Sequence, residues 1–211
     1  MPRPPDDTDE LIEGAGRGDA AALSQLLVRH RPRLRQMVSV RMDHRLAARV
    51  DPSDVIQDTL IEAARRFADY LRDRPLPFYP WLRQMALDRL TDLHRRHVQA
   101  GRRSVTREEM SLPLLPDESG LALVARLFAG GGAPGLRLER EEARERVRQA
   151  LRRLPERDRE VLALRHLEQM PSRQIGAVLG LSEGAVNARH VRALGRLSKL
   201  LAHDPPPGGD A

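Results

Sequence analysis

The stretch from Pro171 to Leu201 constrains the fold of this 211-residue chain more than any other segment. Its apolar residues predict a short helix, a tight turn at 180–182 and a longer helix, with Ser182 as the N-terminal cap of the longer one. Gly176 in the short helix is small, which lets a second helix cross close by. This layout is typical of a helix-turn-helix, whose second helix enters the major groove of DNA.

The longer helix is predicted to have two opposite faces of different chemistry, at about 100° per residue. Its inward face is predicted to hold Val186, His190, Leu194 and Leu197, with His190 as a core histidine that has a partner. Small and cationic side chains gather on the other face: Ala185, Ala188, Arg189, Arg192, Arg196 and Lys199. A merely solvated face usually mixes charges, whereas Glu183 is the only acid of this helix. The pattern therefore indicates DNA binding.

The composition excludes several classes of protein but does not identify this one. The net charge of +6 and pI of about 10.9 favour an anionic partner, although many basic proteins bind no nucleic acid. The absence of cysteine excludes disulfides, thiolate metal sites and cysteine nucleophiles. No apolar run has the ~20 residues of a membrane span, and the first ten residues lack the apolar core of a signal peptide. We expect a cytoplasmic protein.

Helical spacing recurs along the chain and strand patterns are rare, which predicts an all-α fold. We expect two small helical domains joined by a Pro/Gly-rich linker. The predicted segments are a disordered leader (1–8), a first domain (9–99), the linker (100–139), a second domain with the helix-turn-helix (140–203) and a disordered tail (204–211).

Three helices are predicted in the first domain. One lies near 19–40, one begins with Asp51 or Ser53 as its cap and extends to about Leu71, and one follows a proline-broken loop at 72–80. Their inward residues are Leu23, Leu26, Leu27, Leu34, Met37 and Val38, then Ile56, Leu60, Ala63, Ala64, Phe67 and Leu71, then Leu82, Met85, Ala86 and Leu93. In the second domain, a helix through Leu151 and another over ERDREVLALRHLE precede the helix-turn-helix.

Two stretches carry a more specific resemblance. DPSDVIQDTLIEA, followed by PFYPWLRQMALDRLTDLHRRH, resembles region two of bacterial RNA polymerase sigma factors. LRRLPERDREVLALRHLEQMPSRQIGAVLGLSEGAVNARHVRALGRL resembles region four. The chain looks like an extracytoplasmic-function (ECF) sigma factor of the sigma-70 superfamily, with regions two and four only. The resemblance implies binding to core RNA polymerase and promoter-specific transcription initiation.

Four residues of the second predicted helix are implied to bind the clamp helices of the polymerase's largest subunit: Asp54, Gln57, Asp58 and Glu62. An acidic and amide surface of this kind suits arginine-rich partner helices and repels DNA. From periodicity alone, the same residues would be interpreted as a solvated helix face.

The third predicted helix and its preceding loop are implied to open and read the minus-10 promoter element. The residues concerned are Tyr79, Arg83, Gln84, Asp88, Thr91, Arg95 and Arg96. Aromatic rings can stack on an unpaired base or fill the core. We expect Trp81 in the core, and Tyr79 fits both roles. Asp88 departs from the asparagine that the family often has, and a carboxylate there repels phosphate.

The last predicted helix is implied to bind the minus-35 element through Ser182, Glu183, Ala185, Asn187, Ala188, Arg189, Arg192 and Arg196. We expect Arg189 to reach a base edge or a flanking phosphate, and Arg192 and Arg196 to meet phosphates only. Ala185 and Asn187 stand where threonine and lysine are common in the family, which leaves more of the binding to arginines. The implied partners are core polymerase, double-stranded and melted promoter DNA, and an anti-sigma factor; no cofactor or metal is expected.

Two other classes of function compete with this interpretation. A transcriptional regulator acting without polymerase could end in the same helix-turn-helix, but it leaves DPSDVIQDTL and the Trp81 helix unexplained. An enzyme is disfavoured because the sequence has no metal-ligand spacing, phosphate-cradling loop or nucleophile elbow. His94 and His97 have the spacing of two metal ligands on a helix, but no third ligand is in view.

Overall fold

The computed structural model describes residues 7–97 and 149–202, together with positions 119, 123 and 146. The regular elements of these residues are helices, which confirms the predicted all-α class. The chain divides into two compact units, Met1–Pro113 and Leu114–Ala211, and the boundary falls within the segment predicted to be a linker. Apart from 119 and 123, that segment lies outside the described residues, as does the predicted tail.

The first unit contains six helices among its described residues. They are α1 (Asp7–Gly16), α2 (Ala20–Arg41), α3 (His44–Ala47), α4 (Pro52–Arg65), α5 (Phe67–Asp73) and α6 (Phe78–His97). Helix α1 begins inside the segment predicted to be a disordered leader, so that prediction is wrong for residues 7 and 8. Ile12 is buried in the core of this unit, and such packing stabilises a helix too short to persist alone.

Carboxylate caps fix the starts of three of these helices: α2, α3, where Asp43 accepts from the amide of Leu46 at 2.7 Å, and α4. Asp19 accepts from the amides of Ala21 and Ala22 at 2.8 and 3.2 Å, and Asp51 accepts from the amide of Ser53 at 2.7 Å. Asp51 is therefore the cap of α4. The single helix predicted as far as Leu71 is instead two helices, because the chain turns at position 66 between α4 and α5. Ala64, which was predicted to face inward, is exposed, because it lies on the same side of α4 as the exposed Gln57.

Helix α6 lies at the centre of the first unit, where it packs against α2, α3 and α4. It begins at Phe78, three residues earlier than predicted, and its first turn belongs to an aromatic cluster. The ring centroids of Tyr70 and Trp81 are 4.6 Å apart, and those of Tyr70 and Phe78 are 5.4 Å apart. The buried core contains Ile12, Leu26, Leu34, Met37, Val38, Met42, Leu46, Val55, Ile56, Ala63, Phe67, Tyr70, Phe78, Trp81, Leu82, Ala86, Leu87 and Leu90.

The second unit has a helical segment at 149–153, followed by α7 (Glu156–Leu162), a π-helical turn (Ala163–Leu167), α8 (Ser172–Leu179) and α9 (Glu183–Ala202). Helix α9 packs against α7 and α8. Its buried residues are Val186, Ala193 and Leu197. Of the predicted inward face, Val186 and Leu197 are thus confirmed as buried, whereas His190 and Leu194 are half-buried. The π-helical turn was not predicted, since hydrophobic periodicity does not reveal a single wide turn.

The turn between α8 and α9 depends on two glycines. Gly180 adopts φ 66°, which glycine tolerates at a helix C-terminus. A Cβ on Gly176 would lie 2.4 Å from the carbonyl oxygen of Leu181, so Gly176 admits the backbone of the turn rather than the crossing helix expected from sequence. The Oγ of Ser182 accepts from the amide of Ala185 at 3.1 Å, which confirms the predicted cap of α9.

Candidate functional surfaces

The four polar residues predicted on α4 are exposed together. Asp54, Gln57, Asp58 and Glu62 recur at helical spacing on the side opposite Ile56 and Ala63, which are buried. Asp58 also forms an ion pair with Arg89 of α6. The exposed face of α4 is therefore rich in carboxylates, and its opposite face is packed in the core. A surface of this kind attracts cationic partners.

A groove of about 480 Å³ runs between α4 and α6. We call it the α4–α6 groove; its lining mixes carboxylates with arginines and consists of Asp58, Thr59, Ile61, Glu62, Arg65, Arg66, Met85, Asp88, Arg89 and Asp92. Asp88 thus shares a surface with the predicted polymerase-binding residues of α4. Its Oδ1 accepts from the Nε2 of Gln84 at 2.9 Å. Asp88 therefore lies among both carboxylates and arginines in this groove.

Two residues predicted to contact minus-10 DNA are inside the first unit. Tyr79 is 2% exposed and Arg83 is 1% exposed. The hydroxyl of Tyr79 donates to the carbonyl oxygen of Arg33 at 3.3 Å, and the guanidinium carbon of Arg33 lies 3.8 Å from the centre of the Tyr79 ring. Trp81 is in the core, as predicted. We therefore remove Tyr79 and Arg83 from the DNA-contacting candidates, because neither side chain reaches the surface.

The remaining minus-10 candidates lie on the surface of α6. Gln84, Asp88, Arg95 and Arg96 are exposed, and Thr91 is half-buried. The hydroxyl of Thr91 donates to the carbonyl oxygen of Leu87 at 2.8 Å. The guanidinium of Arg95 pairs with Asp92 at 3.0 Å on the same helix. The exposed cations of α6 are thus concentrated toward its C-terminal end.

The minus-35 candidates lie at the start of α9 and along its length, but Arg189 and Arg196 reach the packed interior of the second unit instead of projecting only outward as predicted. Ser182, Glu183, Asn187, Ala188, Arg192 and Arg196 are exposed, while Ala185 and Arg189 are half-buried. Arg189 and Arg196 both contact the buried Asp158 of α7, which sequence analysis missed. The contacts join residues 31 and 38 positions apart, a separation that no helical pattern reveals.

A second polar network ties α9 to its neighbours. The Oγ of Ser172 donates to Oδ1 of Asn187 at 2.7 Å, and the guanidinium of Arg165 reaches both of these side chains. Next to it, the Nε2 atoms of His166 and His190 are 2.9 Å apart, so His190 has the partner predicted for it. Burial, followed by the charges of His166 and Arg165, lowers the pKa of His190.

Two further features concern only the part of the chain that the structure describes. No group of three or more His, Asp or Glu side chains there is arranged to hold a metal ion. None of the helices found in those residues combines the length and apolarity needed to cross a membrane. The helix-turn-helix formed by α8 and α9 is the feature that defines the class: a helical DNA-binding protein.

Comparison with known proteins identifies the family. Residues 144–197 match the family model described as Sigma-70, region 4. The chain is 32% identical over 213 residues to the RNA polymerase sigma factor CnrH of Cupriavidus metallidurans, covering 95% of this chain and 97% of the relative. It is 29% identical over 193 residues to the ECF RNA polymerase sigma-E factor of Escherichia coli, covering 88% and 90%.

A solved structure agrees with these relatives. The structure of CnrH in complex with the cytosolic domain of CnrY matches with a TM-score of 0.52 and 29% identity, covering 95% of this chain and all of that chain. The chain belongs to the ECF sigma factors of RNA polymerase. As a sigma factor, it binds core RNA polymerase and directs transcription initiation from promoters through sequence-specific DNA binding.

Proposed function

We propose that this sigma factor binds core RNA polymerase through the exposed face of α4 together with the α4–α6 groove. The observation that supports the proposal is the row of Asp54, Gln57, Asp58 and Glu62, all exposed on one side of a helix whose other side is buried. The partner is the clamp-helix coiled coil of the largest subunit, as the sequence resemblance implied. Acidic side chains favour a cationic protein surface over DNA, because they repel phosphate.

The two units have different roles in this proposal. The first unit binds polymerase and meets the minus-10 element through the exposed residues of α6, principally Arg95 and Arg96. The second unit meets the minus-35 element through α9, whose N-terminal end enters the major groove in proteins of this architecture. The protein works in the cytoplasm as a regulatory DNA-binding protein, with no cofactor and no catalytic step of its own.

The proposal includes a protein that inhibits the sigma factor. The relative CnrH has been solved in complex with the cytosolic domain of another protein, CnrY. An anti-sigma factor that acts on this chain would cover one of the surfaces used for polymerase or promoter. Co-purification of the chain from its own cells, with and without the α4 substitutions below, distinguishes an inhibitor on the α4 surface from one elsewhere.

Charge reversal on α4 tests the polymerase surface. Because Asp58 is already paired with Arg89, the sharper variant changes its exposed neighbours, Asp54→Arg with Glu62→Arg. We expect it to weaken binding to core polymerase by about tenfold or more, since ~1.4 kcal/mol is enough for that factor and like charges across an interface cost more. The measurement is competition with labelled wild-type protein for core enzyme.

The matched control is Asp69→Arg on α5, which reverses an exposed carboxylate outside the α4–α6 groove. We expect it to leave core binding unchanged. The binding of the free chain to promoter DNA should not weaken for either variant. Retention of full core binding by the α4 variant would show that polymerase uses another surface.

A further inference from the structure

Asp158 of α7 has two arginine partners on α9. Its side chain is 1% exposed. Its Oδ1 accepts from Nη1 of Arg189 at 3.0 Å, and its Oδ2 accepts from Nη1 of Arg196 at 2.5 Å. Both oxygens of one buried carboxylate are therefore occupied by arginines of the helix that carries the candidate minus-35 surface.

Helical geometry allows two arginines of one helix to share this carboxylate. Seven residues make nearly two turns, so Arg189 and Arg196 project from the same side of α9, about 10.5 Å apart along its axis. Arg189 is 27% exposed and Arg196 is 53% exposed, so both remain at the edge of the unit. Arg192 lies further from the buried side of α9 and is exposed.

We propose that Asp158 is a positioning residue that withholds Arg189 and Arg196 from DNA phosphates and so limits nonspecific DNA binding. The inference rests on the proposed function, in which α9 meets the promoter. A buried carboxylate is destabilised when its cationic partners are withdrawn, because its charge is then left uncompensated. Asp158 has two arginine partners and loses part of this compensation with each one that leaves. Moving either guanidinium to a phosphate therefore competes with the pairing to Asp158.

For promoter recognition, the consequence is that the arginines paired with Asp158 and the other exposed residues of α9 have different roles. The paired arginines contribute little to the sequence-independent attraction of the phosphate backbone. Recognition is left to residues outside the pair, which include Glu183 and Ala188 near the N-terminal end and the cation of Arg192. The ratio of promoter to random-sequence affinity rises as a result, because the backbone attraction is common to every sequence.

The substitution Asp158→Asn tests this inference, because asparagine keeps the shape of the side chain and removes its charge. The full-length free protein is titrated against a random-sequence duplex and a promoter duplex at several salt concentrations. We expect tighter binding to the random duplex and a slope of log K against log salt that is steeper by about one to two units. The affinity lost between ~50 and ~200 mM salt should grow roughly threefold for each arginine released.

A role for Asp158 in packing alone gives the opposite result. It weakens binding to both duplexes without steepening the slope, and that outcome would overturn the inference. The triple variant Asp158→Asn, Arg189→Ala, Arg196→Ala is the matched control. It should lose the gain in random-sequence binding, because the arginines released by the first substitution are no longer present.

Two single substitutions keep the inference testable if Asp158→Asn fails to fold. Arg196→Ala should leave the random-sequence salt slope unchanged, since the structure pairs this arginine with Asp158. Arg192→Ala should make the slope shallower by about one unit. If the salt slope becomes shallower by the same amount in both variants, the inference about Asp158 is overturned, while the assignment of α9 to DNA stands. No effect of Arg192→Ala would instead overturn the assignment of α9 to DNA, on which the inference depends.

Discussion

Helices α6 and α9, the two candidate DNA-reading helices, have the same length of 20 residues but different surroundings. Helix α6 packs against α2, α3 and α4, whereas α9 packs against α7 and α8 and buries one side. A helix covered from several directions has few positions that can meet DNA, whatever residue types occupy them. This difference explains why Arg83 of α6 is buried while Arg192 of α9 is exposed.

The largest expected effect is a loss of stability when a buried residue of α6 is replaced, compared with an exposed residue of the same helix. Arg83→Ala should lower the free energy of unfolding of the first unit by about 3–5 kcal/mol, since it removes a buried charged side chain that has partners. Urea unfolding followed by fluorescence measures this, because Trp81 is the only tryptophan and lies in the core of that unit.

Arg96→Ala is the control for that experiment, because Arg96 is exposed near the end of the same helix. We expect little change in stability and weaker binding to minus-10 DNA. If Arg83→Ala instead kept full stability and impaired only DNA opening, Arg83 would belong to the surface of α6, and the contrast between the two helices would disappear.

The two sides of α9 should differ almost as strongly. Leu197→Ala removes a buried side chain and should destabilise the second unit by about 2–5 kcal/mol. Val191→Ala changes an exposed side chain and should shift stability by no more than ~0.5 kcal/mol. Thermal unfolding monitored by circular dichroism measures both. Similar losses for the two variants would mean that α9, like α6, is covered on more than one side.

The start of α9 provides a smaller effect. Ser182→Ala removes the hydroxyl that accepts from the amide of Ala185, and the loss of such a cap costs about 1 kcal/mol. Ser198→Ala, at an exposed position within α9, is the matched control and should be near neutral. Equal stability of the two variants would show that another group caps α9.

The smallest effect concerns pH and the contact between His166 and His190. The folded state lowers the pKa of His190 below its usual value of 6.5, chiefly through burial. A lowered pKa gives stability that is present above about pH 6.5 and is lost as the pH falls, because the unfolded chain then binds more protons. His190→Gln should weaken this loss when unfolding is measured between about pH 8 and pH 5. An identical pH profile for wild type and variant would contradict the assignment.

Sequence patterns anticipated much of the fold where one helix face alone decides the packing. The spacing of Leu26, Leu34 and Met37 located α2, and the Gly180 turn with the Ser182 cap located the helix-turn-helix. The same reasoning failed on α6, where it assigned Tyr79 and Arg83 to DNA from residue type and resemblance. Neighbouring helices bury both residues, and hydrophobic periodicity does not report how many neighbours a helix has.

The sequence by itself determined the helical class, the family and the polar row on α4. Periodicity and caps depend on residues that are close together in the chain, and sequence similarity depends on residue identity alone. Only the tertiary structure decided which polar residues meet each other. Asp158 with its two arginines, Asp58 with Arg89, and His166 with His190 are pairs between different helices. Their contacts depend on how those helices pack, and packing is fixed by the folded unit rather than by local residue order.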